Sequence, residues 1–135
     1  MAYIYTCGCY DGLHQGHLEL LKFCKELAGD SGNVVVGLNT DVWMIQNKRS
    51  PKHSYRERRR CLLETGYVWN VVQINTEEDI RAHLSTAALA LGNVHLVKGE
   101  DYEPEEINGA DIDGVTLVRM PLVKDSEGNK LSSSE

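Results

Sequence analysis

A chain of 135 residues, 41% hydrophobic and 25% charged, carries enough apolar side chain for one core and is too short for two. Its formal charge of −6 excludes a general nucleic-acid surface, because backbone phosphates demand clustered cations. There is no long apolar run and no charged-then-apolar leader, so neither a membrane span nor a signal peptide is expected and the reading is a cytoplasmic protein, with Cys7, Cys9, Cys24 and Cys61 as free thiols.

Tyr3 to Cys9, β-branched and aromatic, predicts the first strand. Leu18, Leu20, Leu21, Phe23, Cys24 and Leu27 then recur at helical spacing, predicting a helix from about Gly16 to Ala28. Gly29 and Gly32 mark the turn into a strand at Asn33 to Asn39, which completes a βαβ unit. Thr40 and Asp41 cap a short helical stretch through Trp43 and Ile45. After a basic loop, Ser54-Tyr55-Arg56-Glu57 reads as a capping box opening a helix that stops at Gly66, and a strand follows at Val68 to Ile74. Thr76 with Glu77, Glu78 and Asp79 starts a further helix, continued by Ile80, Leu84, Ala87, Ala88 and Leu91 and ended by Gly92. Val94 to Val97 and Val115 to Met120 supply the last two strands. The alternation predicts a single α/β domain over 1–135. Right-handed crossovers make it a five-stranded parallel Rossmann-like sheet of order 3-2-1-4-5, with helices on both faces and ligands at the carboxyl ends of the strands.

The segment Cys9-Tyr10-Asp11-Gly12-Leu13-His14-Gln15-Gly16-His17 sits where the first strand hands over to the first helix. Free backbone N–H groups and the positive end of the helix dipole attract an anion there. Two imidazoles can add hydrogen bonds to phosphoryl oxygens, and Gly16 keeps a Cβ out of the way. A zinc site built from Cys7, Cys9, His14 and His17 has the ligand types but not the spacing. Seven cations between Lys48 and Arg60 in an otherwise acidic chain predict a local site for a polyanionic small molecule. Without apolar anchors of their own, Lys48 to Lys52 are expected to form a mobile loop.

The Gly8 to His17 segment resembles the nucleotide-binding motif of the cytidylyltransferase-like nucleotidyltransferases, and the similarity runs along nearly the whole chain. Two members come closest, glycerol-3-phosphate cytidylyltransferase and the domain that adenylylates heptose 1-phosphate. The resemblance implies transfer of CMP or AMP from CTP or ATP to a small polyol or sugar phosphate, with release of pyrophosphate and no covalent enzyme intermediate. His14 and His17 would stabilise charge on the phosphates, Lys48, Arg49 and Lys52 would close over them, and Cys9, Tyr10 and Gly16 belong to the nucleotide motif. Asp11 and Arg58 would face the acceptor. Lys48 to Arg58 resembles the family's basic loop and helix, His53-Ser54-Tyr55 being especially like the glycerol-3-phosphate enzyme, although Ser50 stands where relatives carry a basic residue.

Lys98 to Ile107 is very similar to the strand-to-loop segment of the heptose enzyme, which puts Lys98, Gly99, Asp101 and Tyr102 beside base and ribose. Leu131-Ser132-Ser133-Ser134 resembles the family's Ile-Ser-Thr-Thr, so Ser132, Ser133 and Ser134 would hold nucleotide phosphates, though Asp125-Ser126-Glu127-Gly128 replaces the family's Arg-Thr-Glu-Gly and a further helix is expected beyond. The resemblance also implies Mg2+ carried by the triphosphate and a homodimer, with no nucleic-acid or membrane partner. A nucleotide-binding module without turnover is the rival reading. A fragment of a class I aminoacyl-tRNA synthetase, with its similar His-x-Gly-His, is disfavoured by the short acidic chain.

Overall fold

The computed structural model describes residues 2–99 and 108–120. Its elements run β1 Tyr3–Gly8, α1 Gln15–Ala28, β2 Asn33–Asn39, α2 Asp41–Gln46, α3 Tyr55–Glu64, β3 Asn70–Ile74, α4 Glu77–Leu91, β4 Val94–Gly99 and β5 Val115–Met120. All five strands are parallel in the order β3-β2-β1-β4-β5. The chain adds β2 and β3 on one side of β1, then returns to lay β4 on the other. That reversal opens a crevice between the carboxyl ends of β1 and β4, where α/β sheets bind their ligands.

Alternation along the strands divides the core between the two faces. Tyr5, Val35, Leu96 and Ile74 pack under Ile80, Leu84 and Ala88 of α4. On the opposite face Val36, Leu38 and Val71 meet Leu21 of α1 and Leu62 of α3, while Ile4, Val34 and Val97 meet Cys24 and Ala28 of α1. β3 joins the ladder at Asn70 rather than at Val68. Val68 is still buried, and Trp69 N–H donates to the Val34 carbonyl at 2.8 Å to lead the chain in.

Tyr5 is fully buried, and its hydroxyl lies 3.0 Å from Nδ1 of half-buried His83 on α4. Burial, which disfavours the charged ring, lowers the His83 pKa below its ordinary value, with the Asp79 carboxylate partly offsetting. A folded-state value below the unfolded one means this contribution is fully present above about pH 6.5 and is lost as the pH falls through the folded value. The urea midpoint is therefore expected to be lower at pH 5 than at pH 7.5, and the drop to be smaller in His83→Gln. An equal drop in both proteins would assign the pH dependence to other groups.

Candidate active site

Two histidines start α1, and they do so with an unusual cap. His14 is the N-cap residue, with extended φ, and its Nδ1 accepts the Gly16 N–H at 2.9 Å. In return the His14 N–H donates to Nδ1 of His17 at 3.3 Å. This is the reciprocal geometry of a capping box, with imidazoles in the places usually taken by Ser or Thr and Glu. The rings stack with centroids 3.8 Å apart, and Tyr10 packs on the buried His17 ring at 5.0 Å. A neutral imidazole accepting at Nδ1 carries its proton on Nε2. Both rings are thus fixed as Nε2–H donors.

The turn before the helix needs left-handed backbone at Tyr10, φ 47°, and at Gly12, φ 92°. That twist drops the Tyr10 ring into the core with Leu21 and Leu38, so the side chain supports His17 from below. Asp11, expected at the acceptor, has its carboxylate accepting the backbone N–H groups of Lys52 and His53 at 2.7 and 2.9 Å. It therefore ties the basic loop to the histidine loop. Arg49 adds a second tie, its guanidinium lying 5.8 Å from the Trp43 ring centroid and Nη1 3.5 Å from Cys9 Sγ. The loop thus has anchors that its own composition does not reveal. Asp11→Ala is expected to speed amide exchange at Lys52 and His53 about tenfold or more, by removing two charge-assisted bonds. Unchanged exchange there would mean that the loop is held by other contacts.

Arg58 corrects an expectation. Instead of facing an acceptor's phosphate it is 1% exposed, with Nε donating to the His53 carbonyl, Nη1 to the Cys9 and Asn39 carbonyls and Nη2 to Asp41. Backbone carbonyls left at the ends of β1 and β2 need donors, and this guanidinium supplies them.

A cavity of about 310 Å³ lies at the carboxyl ends of β1, β2 and β4. Cys9, Tyr10, His17, Arg49 and Lys98 line it, whereas Lys48 and Lys52 are exposed on the loop around it. Gly16 lies within the first turn of α1, and Gly99 ends β4, paired with Met120. Cys9 Sγ receives Asn39 Nδ2 at 3.2 Å, and the Lys98 ammonium lies 3.2 Å from Cys7 Sγ. Trp43, Glu77 and Ile80 also line the cavity, and sequence reasoning did not select them. The available signal was positional: both α2 and α4 begin at carboxyl ends of strands. Asp101, Tyr102, Ser132, Ser133 and Ser134 lie outside the described residues. No helix among the described residues is long and apolar enough to cross a membrane.

Comparison with known proteins places this geometry in context. A family model described as cytidylyltransferase-like matches residues 5–135. The bifunctional protein HldE of Azorhizobium caulinodans is 35% identical over 125 residues, covering 89% of this chain and 24% of the relative. The HldE of Vibrio cholerae is 40% identical over 108 residues, covering 78% and 21%. The chain thus spans about a quarter of the length of these curated relatives. The crystal structure of the lipopolysaccharide core biosynthesis protein from Thermoplasma volcanium superimposes with a TM-score of 0.65 at 25% identity, covering 89% of this chain and 96% of that one.

Proposed function

The chain belongs to the cytidylyltransferase-like family, and from that premise we propose that it is a nucleotidyltransferase acting on a small phosphorylated polyol or sugar. An acceptor phosphate oxygen attacks the α-phosphorus of CTP or ATP, the bond to the β-phosphate bridging oxygen breaks, and pyrophosphate leaves. The observation that carries this reading is the stacked histidine pair at a helix start, in which His17 lines the cavity and His14, which is not among the lining residues, holds it from behind with Nδ1 of each ring accepting a backbone N–H. Donors held in place before the reaction stabilise developing phosphoryl charge without reorganising. Arg49 brings a cation to the same cavity, and Lys48 and Lys52 close from the loop.

The nucleotide takes the crevice between β1 and β4, on the side of Lys98, with Asp101 and Tyr102 proposed at base and ribose and the three serines at the phosphates. The acceptor then takes the side bounded by Trp43 and Glu77. Glu77 is the one carboxylate among the described lining residues, a donor set suited to Mg2+ arriving on the triphosphate rather than to a resident ion. Bound there, Mg2+ would offset charge on the phosphates. We propose a homodimer in the cytoplasm.

Likeness to the HldE proteins favours a sugar 1-phosphate such as heptose 1-phosphate, with ATP as donor. His53-Ser54-Tyr55 favours the second reading, glycerol 3-phosphate with CTP. Pyrophosphate release from the four donor–acceptor pairings decides between them, and calorimetry with CTP and ATP measures the base preference separately. Tight nucleotide binding with no release in any pairing would favour the binding module.

A further inference from the structure

Arg58 occupies one of the most buried positions in the molecule although it carries a permanent charge. Its donors reach the carbonyls of His53 at 3.0 Å, Cys9 at 2.8 Å and Asn39 at 2.7 Å, and the Asp41 carboxylate at 2.7 Å. These four acceptors come from the end of the basic loop, the start of the histidine loop, the end of β2 and the start of α2. The second Asp41 oxygen accepts the Tyr55 N–H at 3.3 Å, closing the network at the helix that follows the basic loop.

We propose that Arg58 and Asp41 are positioning residues that set the basic loop against the histidine pair, acting on the reaction only through those two segments. The inference rests on the function proposed above. A guanidinium merely filling core would be replaceable by an apolar side chain at no loss of stability, since burying charge is costly. What an apolar side chain cannot do is hold four acceptors from separate segments in one rigid fork. Lysine cannot do so either, because its donors radiate from a single atom. Reacting groups misplaced by about 1 Å lose on the order of a hundredfold in rate. Rigidity at this junction therefore matters more to turnover than to folding.

Arg58→Lys keeps the charge and discards the fork. It is expected to lower kcat for pyrophosphate release roughly tenfold to a hundredfold with the nucleotide KM changed much less. Asp41→Asn, which leaves the three carbonyl contacts, serves as the variant that folds if the lysine form does not, and should lose severalfold. Added guanidinium ion, below unfolding concentrations, should restore part of the kcat of Arg58→Ala. Amide exchange should rise together at Tyr10 to Gly12 and at Lys52 and His53. Wild-type kcat per folded molecule in Arg58→Lys, or in Asp41→Asn where the lysine form does not fold, overturns the inference even if the melting temperature falls. A parent protein with no turnover in any pairing overturns the functional reading instead. In that event the exchange data judge the positioning, and acceleration confined to one of the two segments overturns it.

Discussion

Replacing His14 or His17 by alanine is expected to lower turnover by about a hundredfold or more, the usual loss when a fixed donor to transition-state charge is removed. Each ring also caps α1, so the alanine forms should lose about 1 kcal/mol of stability as well. The two effects can be separated. Combining His14→Ser with His17→Gln restores side-chain acceptors for the same backbone N–H groups but supplies no Nε2–H donors. That double variant should melt close to the parent and remain as inactive as the alanine forms. Pyrophosphate release measured alongside circular dichroism tests both halves. Recovery of turnover in the recapped variant would mean that the histidines serve the helix and not the chemistry.

The second large effect lies in the core. Gly37 faces Cys7 on β1 and Val72 on β3, in the middle of β2. A Cβ there would press into the Tyr5 hydroxyl and come within 2.6 Å of Ile74 Cδ1. Neither neighbour can retreat, since Tyr5 and Ile74 are fully buried and the Tyr5 hydroxyl is bonded to His83. Gly37→Ala is expected to destabilise by about 2–4 kcal/mol, from overpacking plus the strained or broken hydrogen bond. For a domain of this length that corresponds to a melting-temperature drop of roughly 8–15 °C. Tyr5→Phe removes the obstructing oxygen, so the double variant should be less unstable than the sum of the two single ones. Strict additivity in thermal melts would show that the clash is relieved elsewhere.

The sheet order was legible because the chain alternates strand and helix with clear caps. Asn33–Asn39 and Val115–Met120 form the strands with the bounds that β-branched runs suggest, and Ser54 with Glu57 forms its capping box. The histidine pair was legible as belonging to the start of a helix but not as its cap, since helix-start rules look for hydroxyls and carboxylates. Arg58 was read as a ligand contact because sequence reports its charge and not its surroundings. Its acceptors at Cys9 and Asn39 lie 49 and 19 residues away and become neighbours only when β1 and β2 pair. The tie made by Asp11 was hidden for the same reason, its partners being backbone groups 41 and 42 residues on. Trp43 and Glu77 escaped notice because nothing local marks a residue that meets a cavity from a neighbouring helix.

The imidazole cap of α1 also bears on how descendants of such a chain would decay. A lineage released from the need for catalysis still has to begin this helix, and random replacement at positions 14 and 17 would cost it folding. Selection for the fold alone therefore steers drift towards Ser, Thr or Asp at the first position with Glu or Gln at the second. A domain of this architecture bearing that pair has traded the donors for an ordinary helix start. Chains that keep both histidines retain an acceptor set that commoner residues supply equally well, so capping by itself does not account for the two imidazoles.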